Sequence, residues 1–374
     1  MFGVIGLRKV KAVTALLLCA SLCGCAHVTA EEVPIEAEVL SEFPIITPAP
    51  AMPAEETLLT EAVTEPPEED KPAELTFSFL GDCMLATLNG AEDKDTFNWY
   101  AQNYPASYFF AGTLPYTAND DITIANCETV LSDIDYGRIG KEGERTFWFR
   151  GDSKNAEIFR YGSVEVVSMD NNHTGDYGDD GYAATIESLE QAGIRWGGAE
   201  KNLYLEKNGI KVAIICCKMF RTDYYYIISQ RLEEAKRESD IQVIFFHGGT
   251  EYSHVPDEWM PETTHKLVDE GADLIVGCHT HCLRPMETYN GVNIVYSIGN
   301  FCYGGNRLPE NRTIIYQEKF TFDDNNAIIS NEGTIIPFYV YTGVSNNWQP
   351  SVIRDETEKQ KVLDFMHGLT DSPV

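Results

Sequence analysis

VIFFHGGTEY (243–252), GADLIVGCHTH (271–281) and YNGVNIVYSIGNF (289–301) are three pieces of one stretch, and their reading decides the fold. The runs 243–246 and 274–276 are short and apolar throughout, and stop at His247-Gly248 and at Gly277-Cys278-His279. Such runs read as strands buried on both faces, and a parallel strand delivers ligands at its carboxyl end. His279 and His281 are two residues apart, so both imidazoles can face one centre while Thr280 points away. His247 supplies a third nitrogen from a neighbouring strand.

Working outward, the same arrangement recurs upstream. The run 75–80 ends in Gly81-Asp82, and 122–127 ends in Asn126-Cys127-Glu128. A third strand, 164–168, runs into Met169-Asp170-Asn171-Asn172-His173, followed by Asp176 and a glycine-rich turn. Five strand ends thus carry carboxylate, amide and imidazole, and hard oxygen mixed with borderline nitrogen suits divalent Mn, Fe or Zn. Cys278 and Cys282 flank the histidine pair and add a thiolate as an alternative ligand.

Strand 211–217 and helical patterns at 182–192, 229–239 and 259–270 alternate with these runs, which predicts a layered α/β fold. The aromatic-rich segment from Trp99 to Phe110 reads as a core-packing helix, and Asp152 or Ser153 as the cap of a short helix through Phe159. Strand-like segments at 313–322 and 334–341 and a helix at 355–367 complete the chain.

Composition narrows the chemistry. The 374 residues carry 28 basic and 58 acidic side chains, a formal net charge of −30, which argues against nucleic acid or anionic lipid as a general partner. An anionic substrate would need a local cationic cluster or a metal. At the N-terminus Arg8, Lys9 and Lys11 precede an apolar run, 12–22, and then Leu22-Cys23-Gly24-Cys25. This order reads as an export signal, residues 1–25, ending in a stretch that resembles a bacterial lipobox with Cys25 as the lipidated residue. A cleaved signal or an uncleaved anchor would also put the remainder outside the cytoplasmic membrane. Residues 26–73, rich in proline and glutamate without helical or strand period, read as an extended tether. Seven cysteines follow, an odd number set in apolar runs, so they read as small buried hydrophobes and not as a disulfide framework.

The pieces GDCML, NCETVLS, NNHTGDYG, HGGTEY, GCHTH and YSIGNF occur in this order between 81 and 301. In these the chain resembles the bacterial capsule-synthesis CapA (poly-γ-glutamate biosynthesis) family, whose fold is similar to that of the calcineurin-like metallophosphoesterases. The resemblance implies an α/β two-sheet sandwich with flanking helices over 74–345, with 346–374 as a C-terminal helix and tail. It implies that Glu128, Asn172, His247 and His279 hold one divalent metal tightly. Asp82 and His281 would hold a second more weakly, because Met84 stands where the enzymes have a histidine and a thioether is a poor ligand for a hard ion. His173 matches the residue that protonates or stabilises the reacting oxygens, with Asp176 expected to orient it and Glu251 to act as general base. Asn300 either shapes the site floor or serves as a turn residue.

Two function classes follow from the resemblance. One is a metal-dependent hydrolase or transferase acting on an anionic extracellular polymer or its precursor. The other is a noncatalytic subunit that guides such a polymer during export. Both place the chain outside the cell membrane, attached by a lipid anchor beside capsule synthesis and export proteins of the membrane.

Overall fold

The computed structural model describes residues 72–374 apart from 89, 142–145, 200 and 305–310. Cys25, the export segment and all but the last two residues of the tether lie outside the described residues. Strands are numbered along the chain. One sheet runs in the order β16 (Ser351–Val352), β15 (Ile328–Tyr339), β14 (Thr313–Phe322), β1 (Ala73–Cys83), β3 (Ile122–Cys127), β6 (Val166–Ser168) and β7 (Arg195–Gly197). The other runs β12 (Leu283–Tyr289), β13 (Val292–Ile298), β11 (Leu274–Cys278), β10 (Ile241–His247), β9 (Ile210–Lys218) and β8 (Leu203–Lys207). A small third sheet joins β2 (Thr87–Leu88), β5 (Phe149–Gly151) and β4 (Val130–Leu131).

Side-chain alternation explains the layers. Phe77 and Phe79 of β1 and Val243 and Phe245 of β10 share one buried cluster between the sheets, where the Phe79 and Phe245 rings lie 5.7 Å apart. Ile244 and Phe246 point the other way, into a cluster with Ile228 and Leu232 of helix Tyr224–Glu238 and Leu267 of helix Met260–Asp269. Each such side chain contributes about 1.5–3 kcal/mol on burial, so a strand apolar on both faces is held between two layers. Ile158, Phe159 and Leu189 cover the outer face of the first sheet in the same manner. The result is a two-sheet α/β sandwich with flanking helices.

Strands β1, β3, β6 and β7 are parallel, as are β9, β10, β11 and β13, so their carboxyl ends collect the candidate ligands. The sheets meet at that edge. The Asp82 amide donates to the Gly299 carbonyl (3.1 Å) and the Phe301 amide to the Asp82 carbonyl (2.8 Å). A Cβ on Gly81 would lie 1.9 Å from the Gly299 oxygen, so only glycine permits this approach. The β1–β3 register shifts between Leu80 and Asp82, and this irregularity sets Asp82 opposite Asn126.

Several local expectations change. The aromatic segment is not one helix: it breaks into Phe97–Asn103, a 3-10 turn Ala106–Tyr108 and Leu114–Thr117, because Pro105 and Pro115 interrupt the hydrogen-bond ladder. Asp152 occupies the N-cap position but makes no side-chain cap; Asp133 instead accepts from the Ser153 amide (2.9 Å) and hydroxyl (2.8 Å). Helix Tyr224–Glu238 starts five residues before the predicted 229. The helix at the C-terminus, Glu356–Met366, starts after Asp355, whose carboxylate accepts from the Thr357 and Glu358 amides, and it buries Val362, Phe365 and Met366 in the inter-sheet core. All seven cysteines of the folded part are free and buried. Among the described residues no helix is long and apolar enough to cross a membrane.

Candidate metal centre

At the end of β10, His247 is buried and its Nε2 lies 2.7 Å from Asn172 Oδ1, 2.9 Å from His279 Nδ1 and 3.7 Å from Glu128 Oε1. Four residues from four separate segments therefore aim one donor atom each at a common point. The segments arrive there by backbone geometry. The Glu128 amide donates to the Cys83 carbonyl (2.9 Å), which fixes the turn after β3 against β1. His279 and His281 have φ of 98° and 58°, a left-handed conformation that non-glycine residues adopt at a cost of roughly 1–3 kcal/mol and that concentrates at functional sites. Between them the Thr280 hydroxyl turns away to Ser297 Oγ and the Cys282 carbonyl, both 2.9 Å.

Glu128 supplies the fit test for a cation. It is fully buried, and neither carboxylate oxygen has a hydrogen-bond donor. Burial and then the charge of Asp82 push its carboxyl well above the ordinary range. A buried carboxylate without a donor costs several kcal/mol unless a positive charge compensates it. Asp82 is opposite in character. Burial works against its charge, but His247 and His281 overcome this and hold its carboxyl well below the ordinary range. Its Oδ1 accepts from Asn126 (2.7 Å) and its Oδ2 from the His279 amide (3.0 Å). Burial lowers His247, and burial followed by His247 lowers His279, so both rings are neutral and free to ligate near neutral pH. Burial and the Asp82 charge raise the Cys278 thiol well above its usual value, and its Sγ lies 3.4 Å from His247 Nδ1.

Glu128, His247 and His279 form one ligand group, Asp82, Glu128 and His281 a second, and Asp82, His247 and Cys278 a third, which keeps the thiol as an alternative ligand. His281 Nδ1 is 3.5 Å from Asp82 Oδ2 and 2.9 Å from Asn300 Oδ1, so Asn300 braces a candidate ligand. Met84 is buried.

His173 Nε2 lies 3.9 Å from Glu128 Oε1, and its Nδ1 is 2.9 Å from Asp176 Oδ2. Asp176, fully buried, also accepts from the Phe149 amide (2.9 Å) and is ion-paired with Lys141. Glu251 is exposed, next to Tyr252, whose ring is 5.7 Å from that of His281. The structure thus gathers Asp82, Glu128, Asn172, His173, Asp176, His247, His279 and His281 in one group, buried except for the exposed Asn172, with Glu251 at its rim.

Two amides escaped the sequence reading. Asn126 Nδ2 bridges Asp82 and His247 Nδ1 (3.1 Å). Asn171 donates to Asn126 Oδ1 (3.0 Å) and the Cys127 carbonyl (2.9 Å) and accepts from the His173 amide (3.0 Å), so it pins the loop that carries Asn172 and His173. Their signal was polarity at positions inside or just beyond apolar strands, where an amide must be paired.

Comparison with known proteins agrees with this geometry. The family model for the bacterial capsule synthesis protein PGA_cap matches residues 76–304. The capsule biosynthesis protein CapA of Bacillus anthracis is 25% identical over 83% of this chain and 78% of its own length. The PGA biosynthesis protein CapA of Bacillus subtilis is 27% identical over 66% of this chain and 68% of its own. A probable polyglutamine synthesis accessory protein of Mycobacterium tuberculosis is 23% identical over 36% and 44%. With the matched region holding every candidate ligand, the chain belongs to the bacterial capsule synthesis PGA_cap family, whose fold is metallophosphoesterase-like.

Proposed function

We propose that this protein is an extracytoplasmic, lipid-anchored member of a capsule biosynthesis system that acts as a metal-dependent hydrolase or transferase on an anionic, poly-γ-glutamate-like polymer. The Bacillus relatives, named for capsule and PGA biosynthesis, support the process. The observation that carries the chemistry is the donor-less buried Glu128 facing Asn172, His247 and His279. When bound there, a divalent cation supplies Lewis-acid polarisation of a phosphoryl or carbonyl oxygen and a lowered pKa for water.

The protein's own groups do the rest. Asp176 accepts from His173 Nδ1, so Nε2 is the atom that takes or delivers a proton at the centre. Lys141 holds Asp176 in place and brings positive charge beside His173, at 3.4 Å from Nδ1. In a chain of net charge −30, that local cation favours an anionic substrate. Glu251 at the rim serves as general base.

His173 adjoins a ligand without belonging to the ligand set, so its removal separates chemistry from metal retention. His173→Ala is expected to keep its metal and melting temperature while cleavage of poly-γ-glutamate or a generic phosphodiester falls by about 10². If the wild type cleaves neither and His173→Ala cells make normal capsule, the alternative holds: a noncatalytic polymer-guiding subunit. The buried Met84, which brings a thioether where the enzymes have a histidine, favours that second reading. Cys25→Ser should release the chain from the membrane fraction; retention at the wild-type level would refute the lipid anchor.

A further inference from the structure

His281 is held differently from His247 and His279. Asn300 Nδ2 donates to the His281 carbonyl (3.2 Å), which turns the amide oxygen to the ring, 2.9 Å from Nδ1. Nδ1 therefore carries the proton, and Nε2 is the one nitrogen whose lone pair a cation can use. The Tyr303 hydroxyl sits 3.1 Å from that Nε2, and since Nε2 must accept, the phenol donates.

Tyr303 is fixed in this place. Its side chain is buried, and its ring lies 4.6 Å from the His281 ring. Asn346 Nδ2 donates to the Tyr303 carbonyl (2.8 Å), and Trp348 Nε1 to the Gly304 carbonyl (3.2 Å). The Met84 amide donates to the Cys302 carbonyl (2.9 Å), which ties the backbone at Met84 to the same turn. One side of the centre thus has a capped imidazole. The other has Glu128 without a donor and three converging ligands.

We propose that Tyr303 closes the Asp82–Glu128–His281 position by occupying the His281 Nε2 lone pair with its hydroxyl, and that the centre is therefore mononuclear. This rests on the metal-centre reading above and adds to it the stoichiometry and the residue that sets it.

The test counts ions. The full-length chain, purified in detergent and stripped with chelator, is loaded with excess Mn²⁺, desalted and analysed for metal per chain. A Co²⁺ titration followed by visible absorption gives the binding steps. The wild type is expected to keep one ion, with one absorption step. Tyr303→Phe, which removes a single oxygen, is expected to keep that ion and bind a second about tenfold more tightly than the wild type does, since it loses one competing hydrogen bond. Adding Met84→His to Tyr303→Phe should give two retained ions. Two retained ions in the wild type, or an unchanged second-ion affinity in Tyr303→Phe, would overturn the proposal. No ion in the wild type would refute the metal-centre reading and this proposal with it. The wild-type count decides between one and two even if a variant fails to fold.

Discussion

Replacing Glu128 by glutamine probes the centre through stability alone. In the metal-free protein both Glu128 oxygens are buried without a donor, and the carboxyl is held well above its ordinary range, so it is neutral or a strained anion. A neutral amide of nearly the same shape should change metal-free stability by no more than about 1 kcal/mol. The cation reverses the comparison. At 100 times its Kd a ligand that binds only the folded state adds about 2.7 kcal/mol. A folded unit of roughly 300 residues unfolds with about 0.6 kcal/mol/K of entropy, so this raises the wild-type Tm by about 4 °C. If glutamine weakens binding about 100-fold, the same concentration gives about 0.4 kcal/mol and a rise below about 1 °C. Differential scanning calorimetry with and without Mn²⁺ measures both arms. An equal metal-induced rise in wild type and Glu128→Gln would refute the ligand role. A metal-free Tm that falls by more than about 5 °C in the variant would show that Glu128 has a structural partner, against the reasoning above.

Three further outcomes follow from the packing. Gly81→Ala places a methyl 1.9 Å from the Gly299 oxygen and should cost more than about 3 kcal/mol, seen as a Tm drop of about 5 °C or loss of soluble protein; a change within about 1 °C would contradict the close approach of the sheets. Asp355→Ala removes the cap on the Thr357 and Glu358 amides and should cost about 1 kcal/mol by denaturant melt, with no change expected at the metal centre. Asp273 has its carboxyl raised to about 6, by burial acting against a hydrogen bond from the Gln242 amide. Since the folded value exceeds the unfolded one of about 3.9, its contribution is full below about 3.9 and is lost as pH rises through about 6. Asp273→Asn, which keeps an oxygen for that amide, should therefore stabilise more at pH 8 than at pH 5, with a ceiling of about 3 kcal/mol that solvent screening reduces. Equal effects at the two pH values would refute it.

Much of the layered architecture was legible in local patterns. The runs at 243–246 and 274–276 are apolar on both faces, and such runs can be buried only as strands between layers, so the sandwich and the carboxyl-end placement of His247 and His279 follow from residue type and spacing. The six ordered motifs carried the family, because each combines a strand end with a turn residue and a ligand. What lacked a local signal lay in strands of two or three residues, such as β2, β4 and β5, which are too short to show a period. Pro105 and Pro115 were visible, but their effect was outweighed in the reading by the aromatic content around them.

The contacts that finish the centre belong to tertiary structure. Tyr303 meets His281 across 22 positions, Asn126 meets His247 across 121, and the Asp82 carboxylate meets the His279 amide across 197. No spacing rule reaches that far. Their register is set by where the two sheets touch, at Gly81 and Gly299, and that contact is chosen by the burial of the whole inter-sheet core. The residue types alone determined that oxygen and nitrogen ligands stand at the strand ends. Which of them remain without a protein partner, as Glu128 does, and which are already taken, as His281 is by Tyr303 and Asn300, was decided only when packing closed the sheets around them.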